Sequence, residues 1–237
     1  RGQYDEAVQY HEQSLAMRKK IHEDQPHPDI ASSLSNIGSA YNMKGNFDEA
    51  IQYLIQSLTM RRKIYADQPH LDVASSLSNI GIVYHDNGQY DEAIHYLKQC
   101  LAMDRLIYKD QPHSDIASAL DNIGSAFNSK GEYDKAIQYL EQGLAMDRLI
   151  NKDQPHPDIA LSLENIGSAY ESNGQYDEAI HCLQQSLAML KKIYNDQPHP
   201  DIVSLLSNIS TAYEKKGQHN EAIEYQKRSL TMQKLIN

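Results

Sequence analysis

The sequence predicts an all-α solenoid: antiparallel helix pairs stacked one on the next, with no single globular core. Three observations carry this reading. The stretch Ser35-Asn36-Ile37-Gly38-Ser39-Ala40-Tyr41 returns around Asn79, Asn122, Asn165 and Asn208, a period of 43 residues each time, and a fixed period in this range marks a repeat array. Apolar residues within each period recur at helical spacing, with no strand-like alternation. Glycine and proline punctuate every period at the same two places, as turns between helices do.

The elements follow in order. Gly45, Gly88, Gly131, Gly174 and Gly217 each follow one amphipathic segment and precede another, the place of a residue that ends a helix with positive φ. Asp48-Glu49, Asp91-Glu92 and Asp177-Glu178 then put carboxylates in a first turn, where the helix dipole favours them. Ala50, Ile51, Leu54, Leu58 and Ile64 give that helix its apolar face, and it runs from about Phe47 to Tyr65. Asp24-Gln25-Pro26-His27-Pro28-Asp29 and its four copies break the chain. Proline there suits the first turn of the next helix, which runs from about Pro28 to Met43 and buries Ile30, Leu34, Ile37 and Tyr41. The count is one leading helix and five pairs. Residues 1–23 form the second helix of a truncated repeat, and repeats span 24–66, 67–109, 110–152, 153–195 and 196–237. The sequence opens on Arg1 in mid-repeat, as a segment of a longer protein would.

The spacing Leu34-x2-Ile37-Gly38-x2-Tyr41, followed by Ala50-x3-Leu54, resembles the tetratricopeptide repeat. The usual period of that family is ~34 residues. Here the second helix continues through Arg61-Arg62-Lys63-Ile64-Tyr65 before the break, which is similar to the kinesin light chain and nephrocystin type. The resemblance implies a right-handed superhelix whose concave wall is lined by the first helix of each pair. It also implies a module for protein–protein interaction, such as a segment of a larger adaptor or receptor, and no enzyme.

Ser32, Asn36 and Ser39 share one helical stripe, away from the buried face. In related arrays this stripe faces the groove, so Asn36, Asn79, Asn122, Asn165 and Asn208 are expected to form a ladder there. An amide offers both a donor and an acceptor, so the ladder suits the backbone of an extended peptide; alternatively it fixes the stacking of repeats. Specificity is expected from the neighbours: Ser39, Ile82, Ser125, Ser168 and Thr211, with Asp86, Asp121, Glu164, Glu171 and Glu214. Among the variable positions five side chains are acidic and one, Lys215, is basic. The Lys and Arg that would clamp a carboxylate are missing, so a neutral or basic partner is expected.

Other classes are excluded or left open on simple grounds. The chain carries 22 Lys plus Arg against 32 Asp plus Glu, net −10, which argues against a phosphate-backbone binder. No apolar run approaches the ~20 residues that span a bilayer. Cys100 and Cys182 have no metal or redox spacing and point to a reducing, cytoplasmic compartment. The His-x-Asp pairs from His27/Asp29 to His199/Asp201 fit helix capping, so no metal and no cofactor is expected. Recurrent tyrosines at Tyr10, Tyr53, Tyr96 and Tyr139 are expected in the core. Lys19-Lys20, Arg61-Arg62-Lys63 and Lys191-Lys192 are expected on a solvated outer ridge, interrupted by Asp104 and Asp147. Two further functions stay open: self-association through exposed terminal repeats, and a small-ligand pocket within the array.

Overall fold

A computed structural model describes residues 2–236 and is helical throughout, with eleven helices among the described residues. The chain divides into two compact units, Arg1–Gln111 and Pro112–Asn237. The first holds α1 (Gly2–Ile21), α2 (Pro28–Lys44), α3 (Phe47–Ile64), α4 (Leu71–Asp86) and α5 (Tyr90–Tyr108). The second holds α6 (Ser114–Lys130), α7 (Tyr133–Asn151), α8 (Pro157–Ser172), α9 (Tyr176–Ile193), α10 (Pro200–Lys215) and α11 (His219–Ile236). In each unit the pairs α2–α3, α4–α5, α6–α7, α8–α9 and α10–α11 pack along their lengths, and successive pairs meet through α3–α4, α7–α8 and α9–α10.

Each pair closes on a glycine. A methyl group added to Gly38 would lie 2.7 Å from Leu54 Cγ and 3.0 Å from the Ala50 carbonyl, and Gly81, Gly124 and Gly167 meet Leu97, Leu140 and Leu183 in the same way. Absence of a side chain therefore lets the two helices approach until leucine sits on backbone. Ile37, Ile80 and Ile123 beside these glycines are fully buried, each worth roughly 1.5–3 kcal/mol by removal from water. The last pair solves the same contact differently. Ser210 replaces the glycine and donates its hydroxyl to the Ala222 carbonyl at 2.7 Å, and the register partner of the leucines is Gln226.

Turns inside the pairs and corners between them have separate solutions. Inside a pair, Gly45 takes φ +81°, with its N–H on Asn42 O and the Asn46 N–H on Tyr41 O, which satisfies the last carbonyls of α2. Between pairs, two consecutive non-glycine residues adopt positive φ, as at Ala66 and Asp67. The following histidine then caps the next helix: His70 Nδ1 accepts the Asp72 N–H at 3.1 Å, as His27, His113, His156 and His199 do for the aspartate two residues on. Tyr65 stacks on His70 with ring centres 3.5 Å apart and donates its hydroxyl to the Asp72 carboxylate. Tyr194, His199 and Asp201 repeat this arrangement.

Two expectations need correction. Tyr53, Tyr96 and Tyr139 are half-buried and stack on Tyr41, Tyr84 and Phe127 of their own first helices. Tyr10, on the leading helix α1, is 70% exposed. Arg61 is not on a solvated ridge either. It is 8% exposed and its guanidinium donates to the Asp72 carbonyl at 2.8 Å and to Ser76 Oγ at 2.7 Å, tying α3 to α4. Arg18 makes the matching bonds to the Asp29 carbonyl and Ser33 Oγ. Asp104 and Asp147 hold the same repeat position and are 2% and 4% exposed. The position lies at the junction of one pair with the next, so whatever residue stands there is covered.

The glycine contact gives a direct test. Gly124→Ala would bring its methyl to 2.6 Å from Leu140 Cγ, and Leu140 is itself fully buried, so the variant should lose about 1–3 kcal/mol in urea denaturation. Gly124→Ser combined with Leu140→Gln, which copies Ser210 and Gln226, should recover part of that loss.

Candidate functional site

The asparagine ladder is set by the glycine contact. Ile37 and Gly38 are buried against α3, which turns Asn36 and Ser39 outward on the same helix. Asn36 and Asn208 are exposed, and Asn79, Asn122 and Asn165 half-buried. No ladder amide has a side-chain hydrogen-bond partner among the described residues, whereas Asn42, Asp121, Glu164 and Ser207 near them do. In the first unit α2 touches α4, and in the second α6 touches α8. Asn36 and Asn79, and separately Asn122 and Asn165, therefore stand on adjacent first helices.

The flanking positions divide by environment. Ser39, Ser168 and Thr211 are exposed, Ser125 is half-buried, and Ile82 is 38% exposed. Asp86 accepts the Asn42 side-chain N–H at 3.1 Å, and Glu171 pairs with Lys215. Glu214 is exposed. Asn42 and Asn128 each keep a side-chain carbonyl oxygen buried without a hydrogen-bond partner.

Asp121 and Glu164 stand half-buried, turned towards the second helix of their own pair. Glu164 accepts the Ser186 hydroxyl from α9 at 3.1 Å. Asp121 lies over Gly143 of α7, where a methyl group would come within 2.3 Å of its Oδ1. That oxygen is buried with no hydrogen-bond partner. Ser162 of α8 donates to Asp147 Oδ2 at 2.7 Å and lies 3.4 Å from Asp121 Oδ2. Two carboxylates thus share one hydroxyl. Burial, then the charge of Asp147, pushes Asp121 up to about 7, and burial raises Asp147 and Glu164 in the same direction.

Four of the five pairs close on glycine and leucine, and all five carry a tyrosine or phenylalanine one turn on and a positive-φ glycine between the helices. The tetratricopeptide repeat profile matches residues 1–63, 29–106, 72–148 and 156–234. The chain belongs to the tetratricopeptide repeat family. Among solved structures, a putative kinesin light chain from Podosopora anserina with nearly identical repeats is 25% identical, covering 87% of this chain and 96% of that one with a TM-score of 0.73. BtubC (BKLC) from P. vanneervenii is 16% identical over 99% of this chain and 92% of its own, TM-score 0.82. A Rap protein complexed with Competence and Sporulation Factor is 19% identical over 85% and 53%, TM-score 0.65. The last two likenesses concern the fold. No curated protein sequence matches the chain.

Within these tetratricopeptide repeats, sequence reasoning missed the position of Arg18, Arg61, Asp104, Asp147 and Leu190. The signal was present: Leu190 holds the register of Arg61, so the position belongs to the covered stripe of the second helix whatever its charge. Among the described residues one group of three possible metal ligands comes together, His22, His27 and Asp29. His22 stands where Tyr65 and Tyr194 stand in later repeats and stacks on His27 at 3.5 Å with the rings 12° apart. Near-parallel rings point their in-plane lone pairs side by side rather than towards one ion, so the group reads as the stacked corner with histidine in place of tyrosine. Cys100 is buried and Cys182 half-buried, both free, and burial pushes the Cys182 thiol up, away from a reactive thiolate.

The Asp121 environment predicts a pH dependence. Its folded-state value near 7 lies above the ordinary 3.8, so between these pH values the folded chain keeps a proton that the unfolded chain has lost. Stability should therefore fall as pH rises from 4 to 7 and level off above, by up to about 4 kcal/mol for this group. Asp121→Asn should melt higher than the parent at pH 8 and show a shallower fall of melting temperature with pH. An unchanged slope would show that the carboxylate is solvated.

Proposed function

We propose that this chain is a protein–protein interaction module that holds an extended peptide or a partner helix against the exposed faces of its first helices, as a segment of a larger adaptor or receptor protein. Tetratricopeptide repeats generally mediate protein–protein interaction, and the Rap protein, which shares the fold, is complexed with a factor. The observation that carries the reading for this chain is the ladder: five asparagines in one register, outward on the first helices, with amides that have no partner within the described chain. A structural role in stacking would give those amides a neighbouring helix to bond. A peptide backbone running past them offers the alternating N–H and C=O groups that each amide can pair. Asp86 and Glu214, exposed beside the ladder, favour a neutral or basic segment, and such a contact weakens with added salt. The two free cysteines fit a reducing, cytoplasmic compartment. No helix among the described residues is long and apolar enough to cross a membrane.

Binding can be measured by fluorescence anisotropy against a set of labelled neutral and basic decapeptides at low salt. Asn122→Ala with Asn165→Ala should weaken the best binder about tenfold or more, two hydrogen bonds of about 1 kcal/mol each being lost, and leave the melting temperature nearly unchanged. A large melting shift with unchanged binding would assign the ladder to stacking instead.

One further observation favours a second reading. Tyr10, Met17 and Ile21 line α1 at one face, each about 70% exposed, an apolar stripe of the kind that associates. Self-association through it would appear in sedimentation velocity as a species whose share rises with concentration and falls in Met17→Lys.

A further inference from the structure

Two junctions of the first unit, α1–α2 and α3–α4, fill with arginine a place that the α7–α8 junction of the second unit lines with acid. Arg61 reaches from α3 to the junction of α2 and α4, where its buried guanidinium bonds the Asp72 carbonyl and Ser76 Oγ. Arg18 does the same one repeat earlier, on the Asp29 carbonyl and Ser33 Oγ. At these two junctions the place is therefore shaped for a guanidinium. Eighty-six residues after Arg61 the register holds Asp147 on α7, and the serine matching Ser76 is Ser162 on α8. Asp147 reaches that serine, but it is several atoms shorter than arginine and carries the opposite charge.

What this leaves is a cleft of about 130 Å³ between α6, α7 and α8, lined by Ser118, Asp121, Asp147, Asp158 and Leu161. Its carboxylates lack the neutralisation that the fold supplies elsewhere. Asp72 and Asp201 each accept a tyrosine hydroxyl, but the register partner of those tyrosines before α8 is Asn151, whose amide is turned to the Asp147 carbonyl. Asp158 keeps the contact with its capping His156 at 3.4 Å. Asp121 Oδ1 has no partner. The α8–α10 junction shows the contrast: there the register holds Leu190, and Glu164 is occupied by Ser186.

We propose that the α6–α8 cleft is a binding site for an arginine side chain of a partner protein, which supplies in trans the guanidinium that Arg61 supplies in cis at the equivalent junction. A planar fork of N–H donors suits paired carboxylates better than a point charge does, and the cleft opens beside Asn122 on the same helix, α6. Only the source of the arginine rests on the peptide-binding reading; the chemistry of the cleft stands without it. The groups that face Asp121 are Asp147 from α7 and Asp158 and Ser162 from α8, with His156 at the cap of α8. Entry of a cation is favoured when Asp121 is ionised, so binding should tighten between about pH 6 and about pH 8.

The test uses the whole chain and a small probe, Nα-acetyl-L-arginine amide, at low salt and pH 8, followed through the backbone amide NMR signals of Asp121, Asp158 and Ser162. Saturable shifts at these residues are expected, with Nα-acetyl-L-glutamine amide leaving them in place. Asp121→Asn with Asp158→Asn removes charge from the half-buried and the exposed side of the cleft and keeps the chain folded, as its amide dispersion will report; it should weaken the probe about tenfold or more, charge-assisted bonds being lost. Equal shifts with the glutamine probe, or undiminished binding by the double variant, would overturn the site. Failure of decapeptides to bind the asparagine ladder, with the arginine probe still bound in the cleft, would overturn the peptide reading alone.

Discussion

The contact on which the rest of this structure depends is glycine against leucine within each pair. With Gly38, Gly81, Gly124 and Gly167 seated on Leu54, Leu97, Leu140 and Leu183, the two helices of a pair stand as close as backbone allows. That distance fixes which residues of the first helix are covered. Once Ile37 and Gly38 face α3, the helical period leaves Asn36 and Ser39 exposed, and it keeps the asparagines of the other registers off the buried face, half-buried at Asn79, Asn122 and Asn165. The ladder is thus a geometric consequence of the core contact, and its amide chemistry is free to serve something other than the fold. Ser210 bonded to the Ala222 carbonyl shows that the contact tolerates a different solution when the leucine is also changed.

A second constraint governs the junction between pairs. Before α4 and α10 the corner combines a histidine cap, a stacked tyrosine and a hydroxyl–carboxylate bond, and before α8, where Asn151 replaces the tyrosine, the histidine cap is kept, so the frame persists whichever residue stands at the Arg61 register. That residue can vary through arginine, aspartate and leucine without loss of the repeat. The array therefore carries a uniform frame with one electrostatically adjustable place per junction. At Arg18 and Arg61 the place is filled and neutralised; between α6 and α8 it is open and acidic.

Much of the frame was legible because it is periodic. The helix expected from Phe47 to Tyr65 runs from Phe47 to Ile64, and the one expected from Pro28 to Met43 ends at Lys44. The outward position of the asparagines was legible too, since it follows from the buried positions by helical spacing. Other features were hidden for physical reasons. A long side chain such as Arg61 looks solvated by charge, yet its stem packs and its head finds a carbonyl and a hydroxyl that only the three-dimensional junction brings together. Tyr10 looked like core because its register partners are covered, but the covering ring belongs to the first helix of a pair. The consecutive positive-φ residues at Ala66 and Asp67 and their equivalents include no glycine, so composition gave no sign of them.

The acidic junction is hard to account for by stability alone. Burying Asp121 and Asp147 within reach of one serine hydroxyl raises both carboxyl groups and leaves one oxygen with no partner, which costs folding free energy at neutral pH. The fold does not need the pair, because Ser35 and Ser57 stand at the registers of Asp121 and Gly143 in the first unit, and Ser57 there bonds the Ala31 carbonyl at 2.7 Å. Gly143 is also the smallest possible residue at its register, and it is the one that gives Asp121 room. Two changes that each weaken packing thus combine to place a carboxylate beside an open cleft. Perturbed carboxylates of this kind cluster at functional sites, and the pairing of Asp121 with Asp147 across Gly143 distinguishes this junction from those of Arg18, Arg61 and Leu190.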